Sequence, residues 1–334
     1  MQAIFDTYLP LVETEVKHAL EGRGEALLYQ MIRYHLGLDA ADPASRGKGV
    51  RPILCLLACE AVGGRAELAA PAAAAFELIH AFTLIHDDVA DGDEVRRGRP
   101  TVWRRWGVGQ AIVAGDALYS LANLCIATLN RSRLGPAVVL AAQDKLNEAV
   151  LAVCEGQQLD ISFEGRREVA VDDYLHMVGL KTGRLLAAAA ATGALIGGAG
   201  VDTCEALRRF GHHLGIAFQI RDDILGIWGD PAEMGKPVGG DLLRRKRSLP
   251  VIHALSQAGA DQRFAERVAA GASTVEEAAA LAAEMEAGGS RTYCEQVAGE
   301  SLAAALAELD PLPLLPPYGP CLRDLASYLA GRTR

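Results

Sequence analysis

The chain has 334 residues, half of them hydrophobic, and carries a formal net charge of −9 from 33 Lys plus Arg against 42 Asp plus Glu. This acidic balance argues against a nucleic-acid partner, whose phosphates call for a basic surface. The seven cysteines are an odd number with no paired CxxC spacing, so they form no disulfide framework and point to the reducing cytoplasm.

The first residues, Met1-Gln-Ala-Ile-Phe-Asp6, lack a basic region followed by an apolar one, so no secretory signal is expected. No run approaches eighteen uninterrupted apolar residues, so no transmembrane segment is expected either. Residues 1–36 read as two amphipathic helices broken at Gly22-Arg-Gly24. A polar stretch then leads into Gly47-Lys48-Gly49-Val50-Arg51-Pro52, which places Lys48 and Arg51 ahead of a helix over 53–62. Two cations at a helix entrance can meet an anion together with the free backbone N–H groups. Cys55 and Cys59, in an apolar run, read as packing residues.

Residues 66–90 read as a helix pair whose apolar end runs into Leu84-Ile-His-Asp-Asp-Val-Ala-Asp91. Asp87 and Asp91, four apart, share a helix face, and Asp88 stands about 100° round from Asp87. Carboxylates this close repel one another unless cations sit between them. Oxygen-only donors suit Mg²⁺, which is held by one or two carboxylates together with substrate phosphates. Arg96-Arg97-Gly98-Arg99 follows as a cationic loop suited to phosphate.

Helices are predicted over 107–129, with Asp116 in an apolar setting, and over 137–162. The second contains Gly156-Gln-Gln-Leu-Asp160, a polar interruption fit to face something wet. A helix opens at Val171 with Asp172 and Asp173 in its first turn, where the dipole favours them. Within it, Lys181 and Thr182 interrupt an apolar stretch and need partners unless they are exposed. Residues 201–228 end in a second acidic run, Phe218-Gln-Ile-Arg-Asp-Asp-Ile-Leu-Gly226. Cations follow again, at Gly235-Lys236-Pro237 and Arg244-Arg-Lys-Arg247. Ala-rich helices broken at Gly288-Gly289, a Pro-rich loop over 310–320 and a last helix over 321–329 complete the chain. Strand-like alternation of useful length is absent, and the chain reads as all-α.

The repetition of an acidic helix end followed by a basic loop is the strongest pattern present. If both ends serve one site they must face each other across a helical cavity, which makes a single domain over 1–334 the economical reading. Two carboxylate clusters would clamp a diphosphate through several Mg²⁺ ions, and the basic loops would neutralise its remaining oxygens. Apolar helix faces between the clusters imply a hydrocarbon tail. Departure of the diphosphate from an allylic carbon leaves a carbocation, which a dry pocket protects from water.

With these motifs, in this order and spacing, the chain resembles the trans-isoprenyl diphosphate synthases, the family of farnesyl and geranylgeranyl diphosphate synthases. The resemblance covers most of the chain and is densest at 47–105 and 176–250. It implies an all-helical bundle around a central cavity, usually a homodimer. Asp87, Asp88, Asp91, Asp222 and Asp223 become Mg²⁺ ligands or their immediate shell, with Asp87, Asp91 and Asp222 as direct ligands. Arg96, Lys181, Lys236 and Lys246 would contact the allylic diphosphate, while Thr182 and Gln219 would lie beside the developing cation. Lys48, Arg51, His80 and Arg97 match the isopentenyl diphosphate site. Residues four and five before the first Asp line the pocket floor in this family, so Phe82 would limit the product to fifteen or twenty carbons.

Two positions depart from the family pattern. Arg46-Gly47-Lys48-Gly49 stands where Gly-Gly-Lys-Arg is usual, and Gly226 replaces the third Asp of the second acidic motif. Three other readings compete. A class I terpene cyclase would not need Lys48, Arg51 and Arg97. A non-catalytic subunit of a heteromeric synthase would be expected to lose an acidic motif. A di-iron carboxylate bundle matches Glu15/His18 and Glu77/His80 but leaves both Asp clusters unexplained.

Overall fold

A computed structural model of the chain describes residues 1–40, 47–131, 134–164, 166, 168–229, 239–257, 259 and 261–331. As its periodicity predicts, the chain is all-α. The strands among the described residues are two-residue pieces, β1 (Val95–Arg96) and β2 (Arg99–Pro100), paired antiparallel. The chain divides into two compact units.

The first unit comprises Met1–Asn147, Ala189–Cys204 and Pro313–Cys321. It holds α1 (Gln2–Leu20), α2 (Leu27–His35), α3 (Val50–Ala61), α4 (Ala66–Ala90), α5 (Val102–Trp106) and α6 (Val108–Thr128). Residues 66–90 are one helix, not the expected pair: Pro71 is accommodated inside α4. Helix α3 begins at Val50, three residues earlier than predicted, which moves Arg51 into its first turn.

Alanine and β-branched or leucine side chains make α3 and α4 apolar nearly all round, and both are core helices. Ile53, Leu54, Leu56 and Leu57 are fully buried, each contributing about 1.5–3 kcal/mol of transfer free energy. Backbones also meet directly here. A Cβ on Gly193 would lie 2.0 Å from the Cys55 carbonyl oxygen, so only glycine admits this approach. Helices α4 and α6 are long and apolar enough to cross a membrane by length and composition, with mean hydropathies of 1.6 and 1.4; within the protein, 61% and 44% of those stretches are buried.

The second unit comprises Glu148–Ala188, Glu205–Leu312 and Leu322–Arg334. Helices α7 (Pro136–Glu164), α9 (Arg184–Ile196) and α10 (Val201–Trp228) contribute residues to both units. Helix α8 (Val171–Val178) runs through a π-turn, Gly179–Gly183, into α9. Phe163, Tyr174, Met177, Val178, Ile220, Ile224, Leu249 and Ile252 form one core of this unit.

The short α11 (Gly240–Leu243) and α12 (Leu249–Gln257) follow, then α13 (Gln262–Ala270) and α14 (Val275–Ala287). The predicted glycine break at 288–289 separates α14 from α15 (Ser290–Leu309). The last helix, α16 (Tyr318–Gly331), starts three residues before the predicted position.

Candidate active site

Both acidic runs end helices. Asp87 and Asp88 lie in the last turn of α4, and Asp91 caps it, its N–H donating to the Asp87 carbonyl over 2.8 Å. Asp222 and Asp223 lie near the C-terminus of α10. A helix C-terminus carries partial negative charge, so carboxylates there stand against the local field and favour a cation.

Asp88 is 1% exposed. Arg96 donates Nε–H to its Oδ1 over 2.5 Å, while Oδ2 is buried with no hydrogen-bond partner. Burial raises the Asp88 pKa to about 6, against the pull of Arg96. Arg96, expected on the diphosphate, is thus held on Asp88, with Asp93 3.8 Å from its Nη2.

The basic loop is a hairpin. Arg96 pairs with Arg99, and the two residues between them, Arg97 and Gly98, have φ of 51° and 72°. This is the left-handed geometry of a tight primed turn, which Asn-Gly suits best. Arg97 adopts it at a cost of about 1–2 kcal/mol. The turn carries the Arg97 guanidinium to Gly47, where a Cβ would meet Arg97 Nη2 at 2.9 Å and Glu77 Oε1 at 3.2 Å.

Around Glu77 lies a group of opposed charges. Burial lifts the Glu77 pKa although Arg97 and Arg51 draw it down. Burial, with Arg51, Arg97 and Arg96, presses His80 well below its usual range, so its imidazole is neutral. His35 is pushed down to about 3 by burial and the same two hairpin arginines. Burial lowers Arg51 to about 10, and its Nε is buried without a partner, as is His35 Nε2. A buried donor with nothing to donate to is costly, and an anion would relieve it. Arg51, His80 and Arg97, predicted as one subsite, do come together. Sequence reasoning met Glu77 only as half of a di-iron pair and passed over His35. Two cations beside Glu77 remove the need for iron there.

In the second unit, Gly156 lets α7 touch the π-turn: a Cβ there would lie 2.5 Å from the Lys181 nitrogen. π-Turns insert one residue into a helix and often mark functional positions. This one carries Lys181 and Thr182, and both find the partners they need. Lys181 Nζ pairs with Asp160 Oδ2 at 2.6 Å. Thr182 donates Oγ1–H to Gln219 Oε1 over 3.0 Å, and Gln219 donates Nε2–H to Asp223 Oδ1 over 3.1 Å.

Asp223 is the hub of this network. Its Oδ2 accepts from Tyr174 Oη over 2.5 Å and from the Leu249 N–H over 3.1 Å, and Lys246 Nζ stands 3.9 Å from Oδ1. Burial raises the Asp223 pKa, opposed by Lys246. Burial would lower the Lys246 pKa, but Asp223, Asp241 and Asp160 hold it above its ordinary value. Tyr174 and Asp241 were not anticipated from sequence, since nothing local distinguishes them.

Phe82 is half-buried, its ring edge-on to His86 at 4.9 Å and tilted against Tyr119 of α6 at 5.9 Å. Lys48 is exposed beside the start of α3, and Asp116 is exposed, 3.9 Å from His86 Nε2. Lys236 and Arg46 lie outside the described residues.

The acidic donors fit a hard divalent cation. They are all oxygen, they stand at helix C-termini, and one buried oxygen of Asp88 is unpartnered. Among the described residues no three Asp, Glu, His or Cys side chains close on one point. An ion here would complete its shell with ligand phosphate and water, as Mg²⁺ does.

An all-α fold with two acidic helix ends, each followed by cations, defines a class of enzymes that handle diphosphates, and comparison with known proteins narrows it. The sequence profile of the polyprenyl synthetase family matches residues 26–285. A geranylgeranyl diphosphate synthase of Mycobacterium tuberculosis is 45% identical over 87% of this chain and 83% of its own length. A (2E,6E)-farnesyl diphosphate synthase of Mycobacterium bovis is 38% identical over 90% of this chain and 85% of its own. The crystal structure of a polyprenyl synthetase from Streptomyces coelicolor superposes with a TM-score of 0.90 at 38% identity, covering 98% of this chain and 99% of that one. The chain belongs to the polyprenyl synthetase family. It is accordingly a transferase, a prenyl diphosphate synthase.

Proposed function

We propose that the enzyme is a Mg²⁺-dependent prenyltransferase that joins isopentenyl diphosphate to an allylic diphosphate, giving an all-trans product of fifteen or twenty carbons. The observation that carries this reading is the unpartnered Arg51 Nε beside Arg97 and the neutral His80. It supports a second anion subsite in addition to the acidic helix ends, and an enzyme that only ionised one diphosphate would not need it.

By the family resemblance, both acidic runs would serve the one reaction. Asp87, Asp91 and Asp222 would hold Mg²⁺, which when bound supplies the positive charge that makes diphosphate a good leaving group. Asp88 and Asp223 would belong to the immediate shell of these ions. Lys181, Lys236 and Lys246 offer cations to the departing diphosphate, and Arg96 locks Asp88 beside it. Thr182 and Gln219 would lie beside the electron-poor carbon. Lys48, Arg51, His80 and Arg97 hold isopentenyl diphosphate, whose double bond attacks. Loss of a proton to the released diphosphate then completes the condensation without a side-chain base.

The exposed Val108, Ile112, Val113 and Leu124 of α6 support a second copy of this chain as partner, since exposed apolar side chains mark interaction surfaces. We place the enzyme in the cytoplasm, in keeping with seven free cysteines.

The test is incubation with isopentenyl diphosphate, Mg²⁺ and each allylic primer in turn, with product length read by mass spectrometry. Elongated diphosphates of fifteen or twenty carbons are expected. Hydrocarbon release without isopentenyl diphosphate would establish a cyclase instead, and an inert purified chain would establish a partner-dependent subunit.

A further inference from the structure

The π-turn that carries Lys181 and Thr182 begins and ends in glycine, at 179 and 183. Gly179 has φ −55° and ψ −42°, ordinary helical values open to any residue, so its missing side chain serves contact and not conformation. The contact is with His212 of α10. A Cβ on Gly179 would lie 3.0 Å from His212 Cε1, and one on Gly183 2.8 Å from Nδ1, so the imidazole fills the space that both glycines leave open. His212 Nδ1 is buried with no hydrogen-bond partner among the described residues, and the ring acts at this edge by its volume. Backbone closes on the turn beside it. A Cβ on Gly215 would lie 2.6 Å from the Gly183 Cα, and one on Gly211 2.6 Å from the Leu186 carbonyl oxygen. Gly211, Gly215, Gln219 and Asp223 recur every four residues and lie along one side of α10. On that same line Gln219 accepts from Thr182 over 3.0 Å and donates to Asp223 over 3.1 Å. The seam between α10 and the π-turn therefore sets the reach of the hydrogen bonds that hold Thr182.

We propose that His212 is a positioning residue for prenyl transfer: its ring wedges against Gly179 and Gly183 and fixes the π-turn, and with it Lys181 and Thr182. The proposal rests on the reading above, which sets those two residues at the allylic diphosphate. His212 touches no substrate in this account and acts only through the turn. A π-turn holds one residue more than the α-helical turn it interrupts. Relaxation toward α-helix would rotate Lys181 and Thr182 relative to Gln219 by a large part of the 100° that one residue spans, and the wedge opposes that rotation.

The test uses the full chain with Mg²⁺, isopentenyl diphosphate and the allylic primer that the wild type accepts. His212→Ala empties the wedge, and His212→Gln keeps most of its reach. His212→Ala should lower kcat roughly tenfold or more, the scale of a displacement of about 1 Å at a reacting group, and leave KM for isopentenyl diphosphate unchanged. His212→Gln should recover part of the lost kcat. In a Thr182→Val background the alanine change should have little further effect, the non-additivity of residues that act through one another. If His212→Ala does not fold, His212→Gln takes its place in this cycle, with a smaller fall in kcat that again vanishes in Thr182→Val. Wild-type kcat in His212→Ala, an equal fall with and without Thr182→Val, or a matching rise in KM for isopentenyl diphosphate would each overturn the wedge. Amide hydrogen exchange over residues 174–188, which needs no turnover, separates the wedge from the reaction. Exchange there should be roughly tenfold faster or more in His212→Ala as the turn opens. An inert wild type with that change in exchange rejects the proposed reaction and keeps the wedge. An active wild type whose His212→Ala variant exchanges at the same rate does the reverse.

Discussion

The Tyr174 hydroxyl donates to Asp223 Oδ2 over 2.5 Å, tying α8 to the acidic end of α10. Tyr174 is 1% exposed and Asp223 2%, and burial together with the neighbouring Asp223 keeps the phenol protonated. Tyr174→Phe leaves the packing volume nearly intact but removes one donor from a buried carboxylate. Stability should fall by about 1.5–3 kcal/mol, the range for hydrogen bonds to charged groups. Urea unfolding measures it, and a midpoint unchanged from wild type would show that Asp223 does not depend on this bond.

Asp87→Ala removes a half-buried carboxylate from the last turn of α4 and leaves the hydrogen bond from Arg96 to Asp88 in place. Turnover should drop by orders of magnitude, because charge neutralisation of the leaving group carries the chemical step. Circular dichroism should keep its helical signal. Wild-type turnover in this variant, or full activity in excess chelator, would sink the Mg²⁺ reading.

Arg97 sits at φ 51° in a turn that favours Asn-Gly. Arg97→Asn should relieve about 0.5–1 kcal/mol of strain in the turn, while leaving buried Glu77 one cation short, and should raise KM for isopentenyl diphosphate roughly tenfold or more. The two effects separate the roles of backbone and side chain. If KM stays put, Arg97 does not contact the substrate.

His212 lies against the π-turn: a Cβ on Gly179 would be 3.0 Å from its Cε1, and one on Gly183 2.8 Å from its Nδ1. Burial, then His213, Arg184 and Arg208, lower its pKa from 6.5 to about 4. The unfolded chain thus binds a proton that the folded chain refuses between these values. The stability tied to the neutral ring is fully present above pH 6.5 and is lost as pH falls toward 4. Discounted for its partly solvated position, the effect is about 1–2 kcal/mol. His212→Gln should flatten the fall in stability over that window, and an acid profile parallel to wild type would exclude the residue as its source.

Phe82→Ala removes the ring that packs on His86 and Tyr119. If Phe82 is the floor for the growing tail, the product should lengthen by one or more five-carbon units. Identical product lengths by mass spectrometry would assign Phe82 to packing alone.

What the sequence determined by itself is local or carried by motif. Apolar periodicity placed almost every helix within a few residues, because the 3.6-residue repeat is written into neighbouring positions. The i, i+4 spacing put Asp87 and Asp91 on one face, and the two acid-then-base runs pointed to diphosphate chemistry. The boundary errors are local too: residues 66–90 form one helix rather than a pair, and α3 starts before Pro52 rather than after it.

Only the tertiary structure decided who holds whom. Asp160 meets Lys181 across 21 residues, Thr182 meets Gln219 across 37, and Tyr174 meets Asp223 across 49. Arg97 reaches Glu77 through a turn conformation that its residue type does not favour, and Asp241 fills the space beside Gly226. Such pairings depend on how close two backbones come. Gly156 and Gly226 set that distance by lacking a side chain, and a missing atom has no periodicity to read.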